Sequence, residues 1–152
     1  MEFLVFDTPL GQMALAEESG ALTRLFLPGE GILRLVSRET PLLSKGRDEI
    51  LAYLRGERRS FDLPLDPMGT PFQQAVWAEL RRIPYGETRS YAQVAAGIGK
   101  PKAVRAVGQA NHRNPLPIFI PCHRVIGASG KLTGYGGGLD LKEKLLELEG
   151  AR

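Results

Sequence analysis

Residues 70–110 read TPFQQAVWAELRRIPYGETRSYAQVAAGIGKPKAVRAVGQA, and the reading of this stretch decides the architecture of the second half of the chain. Thr70-Pro71 places an N-cap residue before a proline at the first helical position. Phe72, Val76, Leu80 and Ile83 then follow at i, i+4, i+8 and i+11, the stripe of one helix, which stops at Pro84. Ser90 with Gln93 is a capping-box pattern, so a second, shorter helix starts at Tyr91 and ends at Gly97 to Gly99. Pro101 opens a third helix in which Ala103, Val104, Val107 and Ala110 face inward while Lys102, Arg105 and Gln109 share another face. Two short helices joined by a glycine-containing turn make a helix-turn-helix, and the cations and Gln on the second suit a DNA groove. Spacing alone describes a plain helical hairpin equally well.

Toward the N-terminus, Glu2 to Asp7, Gln12 to Glu17 and Ala21 to Leu27 are short runs rich in Phe, Leu and Val, divided by Thr-Pro-Leu-Gly and Glu-Ser-Gly turns. They predict an antiparallel meander. Leu43, Ile50, Leu51 and Leu54 predict a helix over residues 42–55 that covers one sheet face, and Phe61 to Leu65 a last strand. The Leu-Asp-Pro-Met-Gly segment at 65–69 reads as a linker.

Toward the C-terminus, Pro117 to Pro121 is an apolar strand candidate, followed by Cys122-His123-Arg124 and a segment rich in glycine from Gly127 to Gly138 around Tyr135. The GxxxxGK[ST] order of a phosphate loop is missing. A closing helix is expected, capped by Asp140 with Glu143 at the box position, buried through Leu141, Leu145 and Leu148, and ended by Gly150. Glu149 falls in its last turn, an unfavourable place for a carboxylate without a partner.

With 43% hydrophobic and 24% charged residues in 152, the chain has the composition of a packed globular protein and not of a disordered one. No apolar run approaches the roughly 18 residues of a membrane span, and the start, MEFLVFDTPLG, carries no secretory pattern. A cytoplasmic protein is the expectation. The net charge of +3 divides into −3 over residues 1–68 and +6 over residues 69–152. Between Arg81 and Lys131 nine basic residues face one acid, Glu87, which is the footprint of a polyanion partner or else a solvated basic surface.

Cys122 is the one cysteine, so no internal disulfide can form, and with only His112 and His123 a structural zinc site is not expected. A lone Cys is often just a small buried hydrophobe. Here Pro121 precedes it, His123 and Arg124 follow, and the most basic part of the chain surrounds it, all favouring the nucleophilic thiolate. Adjacent strand residues point to opposite faces, so His123 reaches the sulfur only if the chain turns or a water bridges them, and the bridge is the favoured reading. Glu149 is the acid chosen to orient His123, giving a relay of Cys, water, His and carboxylate. The alternatives are a satisfied core histidine and a frayed surface glutamate.

The run Asn114-Pro115-Leu116-Pro117-Ile118-Phe119-Ile120-Pro121-Cys122-His123-Arg124-Val125 resembles the active-site signature of the O6-alkylguanine-DNA alkyltransferases. The resemblance extends upstream through Gly86-Glu87, Ser90-Tyr91 and Lys102 to Gly108. Downstream it runs through Thr133-Gly134-Tyr135, Gly137-Gly138-Leu139, Lys142-Glu143 and Leu145-Leu146, covering about residues 70 to 150. It implies an α+β protein of two domains: a ribonuclease-H-like module with an antiparallel sheet over residues 1–66, and a mainly helical, winged helix-turn-helix-like transfer domain over residues 67–152. The first domain resembles its counterpart in element order only.

The activity implied is repair by irreversible, single-turnover transfer of an alkyl group from O6 of guanine, less readily O4 of thymine, in double-stranded DNA to Cys122. No cofactor and no metal are implied, and a monomer is expected. In this reading Cys122 is the acceptor, His123 the base reached through water, Glu149 its partner, and Asn114 the residue that holds the active-site turn. Arg105 would enter the base stack in place of the extruded nucleotide. The helix would lie in the minor groove, where small residues such as Ala106 and Gly108 admit the backbone, with Lys102 and Gln109 beside them. Tyr91 would rotate the flanking phosphate and hydrogen-bond the base. The Val125 carbonyl and the Gly136 amide would read the flipped guanine, with Tyr135 as a wall and Lys142 in support. The first domain lacks the Cys and His of family members that bind zinc there, and the thiol at Cys122 departs from the related group that carries Trp in its place. His112 is assigned at most a phosphate contact. Two readings from other classes compete: a DNA-binding module that leaves Cys122 unmodified, and a thiol redox sensor that ignores alkylated DNA.

Overall fold

A computed structural model describes all residues, Met1–Arg152, as two compact units, Met1–Met68 and Gly69–Arg152. In the first, β1 (Glu2–Thr8), β2 (Gly11–Glu18) and β3 (Ala21–Phe26) form an antiparallel sheet in the order β1-β2-β3, the expected meander. Ser19 and Gly20, both at positive φ (53° and 81°), make the two-residue turn between β2 and β3 whose twist matches the strands it joins. On β2 the consecutive residues Met13, Ala14, Leu15 and Ala16 are all fully buried, which requires cover on both faces of the sheet.

One cover is α1 (Pro41–Leu54), whose Thr40 cap accepts from the Leu43 amide at 3.1 Å. Its buried stripe is Leu43, Gly46, Ile50 and Tyr53, whereas Leu51 and Leu54 are half-buried. Gly46 is the point of closest approach: a Cβ there would lie 2.7 Å from Leu15 Cδ1. On the other face Ala14, Ala16, Phe26 and Ile32 form a small cluster joined by Phe3, Val5 and Leu35. The strand expected over 61–65 is a single bridge, Leu65 beside Leu22, because Pro64 has no N–H to extend a ladder. Ser37 likewise bridges Phe3, so both edges of the sheet are protected by short stretches of chain.

In the second unit α2 (Pro71–Leu80) and α3 (Tyr91–Gly97) begin at Thr70 and Ser90, each with a complete capping box to Gln73 and Gln93. Ile83 is buried one turn past the end of α2, and Phe72 is half-buried. Next comes α4 (Val104–His112), which begins later than Pro101. The Ala103 amide is taken by the Lys100 carbonyl at 2.9 Å in a tight turn after Gly99, so Lys102 belongs to that turn and not to the helix. The shift turns Val104 outward, 38% exposed, while Val107 and Ala110 pack inward as expected. Trp77, buried on α2, donates its indole N–H to the Ala110 carbonyl at 2.9 Å and locks α2 to α4.

The segment expected as a strand at Pro117–Pro121 is a compact loop, for prolines at both ends deny it ladder donors. A two-residue parallel pair, β4 (Arg89–Ser90) and β5 (Val125–Ile126), was not foreseen. Finally α5 (Leu139–Leu148) starts from Gly138 at φ 94°, a conformation that favours glycine, and Asp140 makes no cap but sits within the first turn. Leu141 and Leu145 are buried, Leu148 half-buried, and Gly150 at φ 74° ends the helix. No helix is long and apolar enough to cross a membrane.

Candidate active site

The loop before Cys122 is held by its own side chains. Asn114 Nδ2 donates to the Ile120 carbonyl at 2.8 Å, and its Oδ1 accepts from the Leu116 amide at 2.9 Å. Within that clamp Ile118 is buried at φ 74°, a region costly for a β-branched residue. Pro121, at φ −78° and ψ 64°, is the centre of an inverse γ-turn closed by the Cys122 amide on the Ile120 carbonyl at 2.7 Å. The chain then turns again, Cys122–Arg124 forming one 3-10 turn, so the adjacent Cys and His are not on opposite faces of a strand. Asn111, which carries no expected role, donates from α4 to the Cys122 carbonyl at 3.3 Å.

Cys122 is 5% exposed and His123 fully buried. His123 Nε2 meets Glu149 Oε2 at 2.7 Å, the pairing expected from the sequence. The unfavourable place of Glu149 at the end of α5 is explained by its partners. Arg124 donates from Nε to Oε1 at 2.8 Å and from Nη2 to Oε2 at 3.0 Å, and the Gly86 amide adds a contact at 3.3 Å. Arg124 Nη1 also donates to the Ile83 carbonyl at 2.7 Å. Burial lowers the pKa of His123, against the opposing pull of Glu149, and the charges of Arg124 and Lys142 lower it further. The shift favours the neutral ring, the form fit to accept a proton.

Lys142, fully buried on α5, donates to the Val125 carbonyl at 2.6 Å and to the Thr133 carbonyl at 2.7 Å. Tyr91 OH meets Thr133 Oγ1 at 2.8 Å, and a Cβ on Gly108 would lie 3.8 Å from the Tyr91 ring, so α3, α4 and the glycine-rich segment converge there. Tyr135 is buried and Gly136 exposed. Arg105, Ala106 and Gln109 are exposed on α4 and Lys102 is exposed in the turn before it, apart from the buried cluster. Arg124, read from the sequence as one of nine surface cations, is turned inward.

Burial pushes the Lys142 pKa down to about 8, and the nearby charge of Cys122 pulls it back up. Since 8 lies below the ordinary 10.5, unfolding takes up a proton between these values, and stability rises with pH across that window. Urea unfolding from about pH 7.5 to about pH 10 is expected to show a gain on the order of 2 kcal/mol over a Lys142→Met variant, which lacks the titration. Parallel curves for the two proteins would refute a depressed lysine.

A family model described as "6-O-methylguanine DNA methyltransferase, DNA binding domain" matches residues 71–151, and one described as the ribonuclease-like domain of the same protein matches residues 2–67. The constitutive methylated-DNA–protein-cysteine methyltransferase of Bacillus subtilis is 53% identical over 151 residues, covering 94% of this chain and 92% of that one. The methylated-DNA–protein-cysteine methyltransferase of Methanosarcina acetivorans is 49% identical, covering 99% of each chain. Among solved structures, Mycobacterium tuberculosis OGT in complex with DNA superposes with a TM-score of 0.90 at 50% identity, covering 99% of this chain and 94% of that one.

Proposed function

The chain belongs to the 6-O-methylguanine DNA methyltransferase family, and we propose that Cys122 is the acceptor to which it transfers the alkyl group of a damaged guanine. The observation that carries this assignment is the Glu149 carboxylate on His123 Nε2 at 2.7 Å, in a buried turn beside the one cysteine. Glu149 orients the ring, the neutral ring takes the thiol proton through a bridging water, and the thiolate attacks the alkyl carbon. The C–S bond forms as the C–O bond breaks, and the electrons of the broken bond pass to the guanine, which gains a proton. The thioether is not regenerated, so one molecule acts once.

The alkyl carbon of a paired guanine lies inside the duplex, so the nucleotide has to be extruded. Arg105, exposed on α4, fills the gap from the minor groove, where Ala106 and Gly108 let the helix backbone approach. Lys102 and Gln109 contact phosphates beside it. Tyr91 rotates the flanking phosphate and hydrogen-bonds the base; the Val125 carbonyl, which keeps a second lone pair beside Lys142, and the Gly136 amide read it; Tyr135 walls the pocket. Asn114 keeps the loop in the shape that presents the sulfur. O4 of thymine is a poorer substrate, no cofactor or metal takes part, and the protein works as a cytoplasmic monomer.

The test is intact and peptide mass spectrometry after mixing the protein with duplex DNA carrying O6-methylguanine. One methyl group per molecule, saturating and located on the Cys122 peptide, is expected. Tight lesion binding without any gain in mass would leave a damage-recognition module instead.

A further inference from the structure

The Glu149 carboxylate receives four donors: two from Arg124, one from His123 Nε2 and one from the Gly86 amide. A carboxylate is acceptor-only with about four lone-pair sites, so this arrangement saturates it and His123 Nε2 must carry a hydrogen. In a neutral ring Nδ1 is then the acceptor. We propose that Arg124 is a positioning residue for the transfer, holding Glu149 ionised and oriented so that His123 is kept as the neutral Nε2–H tautomer with Nδ1 as the base. The proposal deepens the function given above and rests on His123 acting as the base there.

Burial makes the charges of this cluster balance one another. Both side chains of the His123–Glu149 pair are fully buried, and Arg124's is 8% exposed. Arg124 and Glu149 cancel, so the neutral ring leaves the cluster at zero, whereas an imidazolium would add an uncompensated buried charge. Lys142 from α5 works in the same direction, and Cys122 within the same turn carries the opposing charge once ionised. Without Arg124, Glu149 acts on the ring unopposed and draws the buried pair toward imidazolium and carboxylate, and a protonated ring is no base. Arg124 is itself fixed, by the Ile83 carbonyl at 2.7 Å and by the Tyr85 ring 5.7 Å away.

The test has a structural arm and a kinetic arm. Ring-nitrogen NMR of the wild-type protein from about pH 5.5 to about pH 9 should show His123 as the neutral Nε2–H tautomer at pH 7; a His112→Gln background removes the other histidine. In Arg124→Met the His123 pKa is expected to rise by at least about one unit, leaving about a tenth of the rings neutral at a pH one unit below the new value. Single-turnover methyl transfer should then slow below the new pKa, about tenfold at a pH one unit under it, and recover as pH is raised, its acid limb displaced upward. Arg124→Lys keeps the charge without the bidentate fork and should fall between the two, and it serves if the Met variant does not fold. A charged or Nδ1–H ring in the wild-type protein overturns the proposal. So does an unshifted acid limb in folded variants with only a uniform loss of rate. Failure of the wild-type protein to take up methyl at all would refute the transfer reading, while the tautomer still decides what Arg124 does to His123.

Discussion

Cys122→Ala is expected to abolish methyl transfer while leaving binding to lesion-bearing duplex within about twofold of the parent. The loss is expected to be complete, because no second thiol exists in the chain and the neighbouring groups cannot substitute. Lys142 binds two carbonyls as an ammonium with no lone pair to offer, and in the proposed relay the His123 ring is one bridging water away from the sulfur and so out of reach of the alkyl carbon. The fold should survive, since the loop is shaped by Asn114, Pro121 and the Asn111 amide through backbone groups of Ile120 and Cys122 that alanine retains. Truncating one buried sulfur costs about 1 kcal/mol. Mass spectrometry for methyl uptake and fluorescence anisotropy on the same labelled duplex check the two halves of the prediction. Methyl uptake by the Ala variant would overturn the assignment of Cys122, and a collapse of binding would show the thiol to be structural.

The elements that follow from local rules were legible before any coordinates: the caps at Thr70 and Ser90 need only the hydroxyl and the Gln three residues on, and both boxes form. The Ser19-Gly20 hairpin is as local as they are. What failed needed information from outside its own segment. The start of α4 is set by the turn at Lys100–Ala103, so proline at 101 marked the turn and not the first helical residue. Pro117–Pro121 has the composition of a strand but closes on itself through Asn114. Gly138 caps α5 in place of Asp140 through a backbone conformation that sequence spacing does not encode.

The candidate site divides along the same line. The pairing of His123 with Glu149 could be inferred because an acid at a helix C-terminus requires a partner, a penalty visible in sequence. Arg124 was visible only as charge. That it turns inward to grip the same carboxylate depends on the 3-10 turn at Cys122–Arg124 and on the packing of α5, neither of which has a signature in the spacing of residues. Asn111 escaped for a related reason: its side chain acts on the backbone of Cys122, and backbone partners are silent in a sequence.

Arg105→Ala is expected to slow transfer from duplex DNA by one to two orders of magnitude while leaving transfer from the free O6-methylguanine base within about twofold. Extruding a nucleotide costs a few kcal/mol, and a side chain that occupies the vacated stack offsets a part of it; at about 1.4 kcal/mol per tenfold, an offset of about 2 kcal/mol gives a slowing of about thirtyfold. The fold loses nothing comparable, because Arg105 is exposed on α4 and engaged in no ion pair there. Stability should stay within about 0.5 kcal/mol. The contrast between duplex and free base is the decisive reading, since both reach the same sulfur but only the duplex needs the base removed from its stack. Salt dependence separates the remaining alternative. A residue acting only as a phosphate contact would weaken binding to damaged and undamaged duplex alike and lower the slope of log K against log salt by about one. A residue acting in the stack would leave that slope nearly unchanged and affect the damaged duplex alone. An equal loss on duplex and free base would place the role of Arg105 in the chemistry and overturn the extrusion reading.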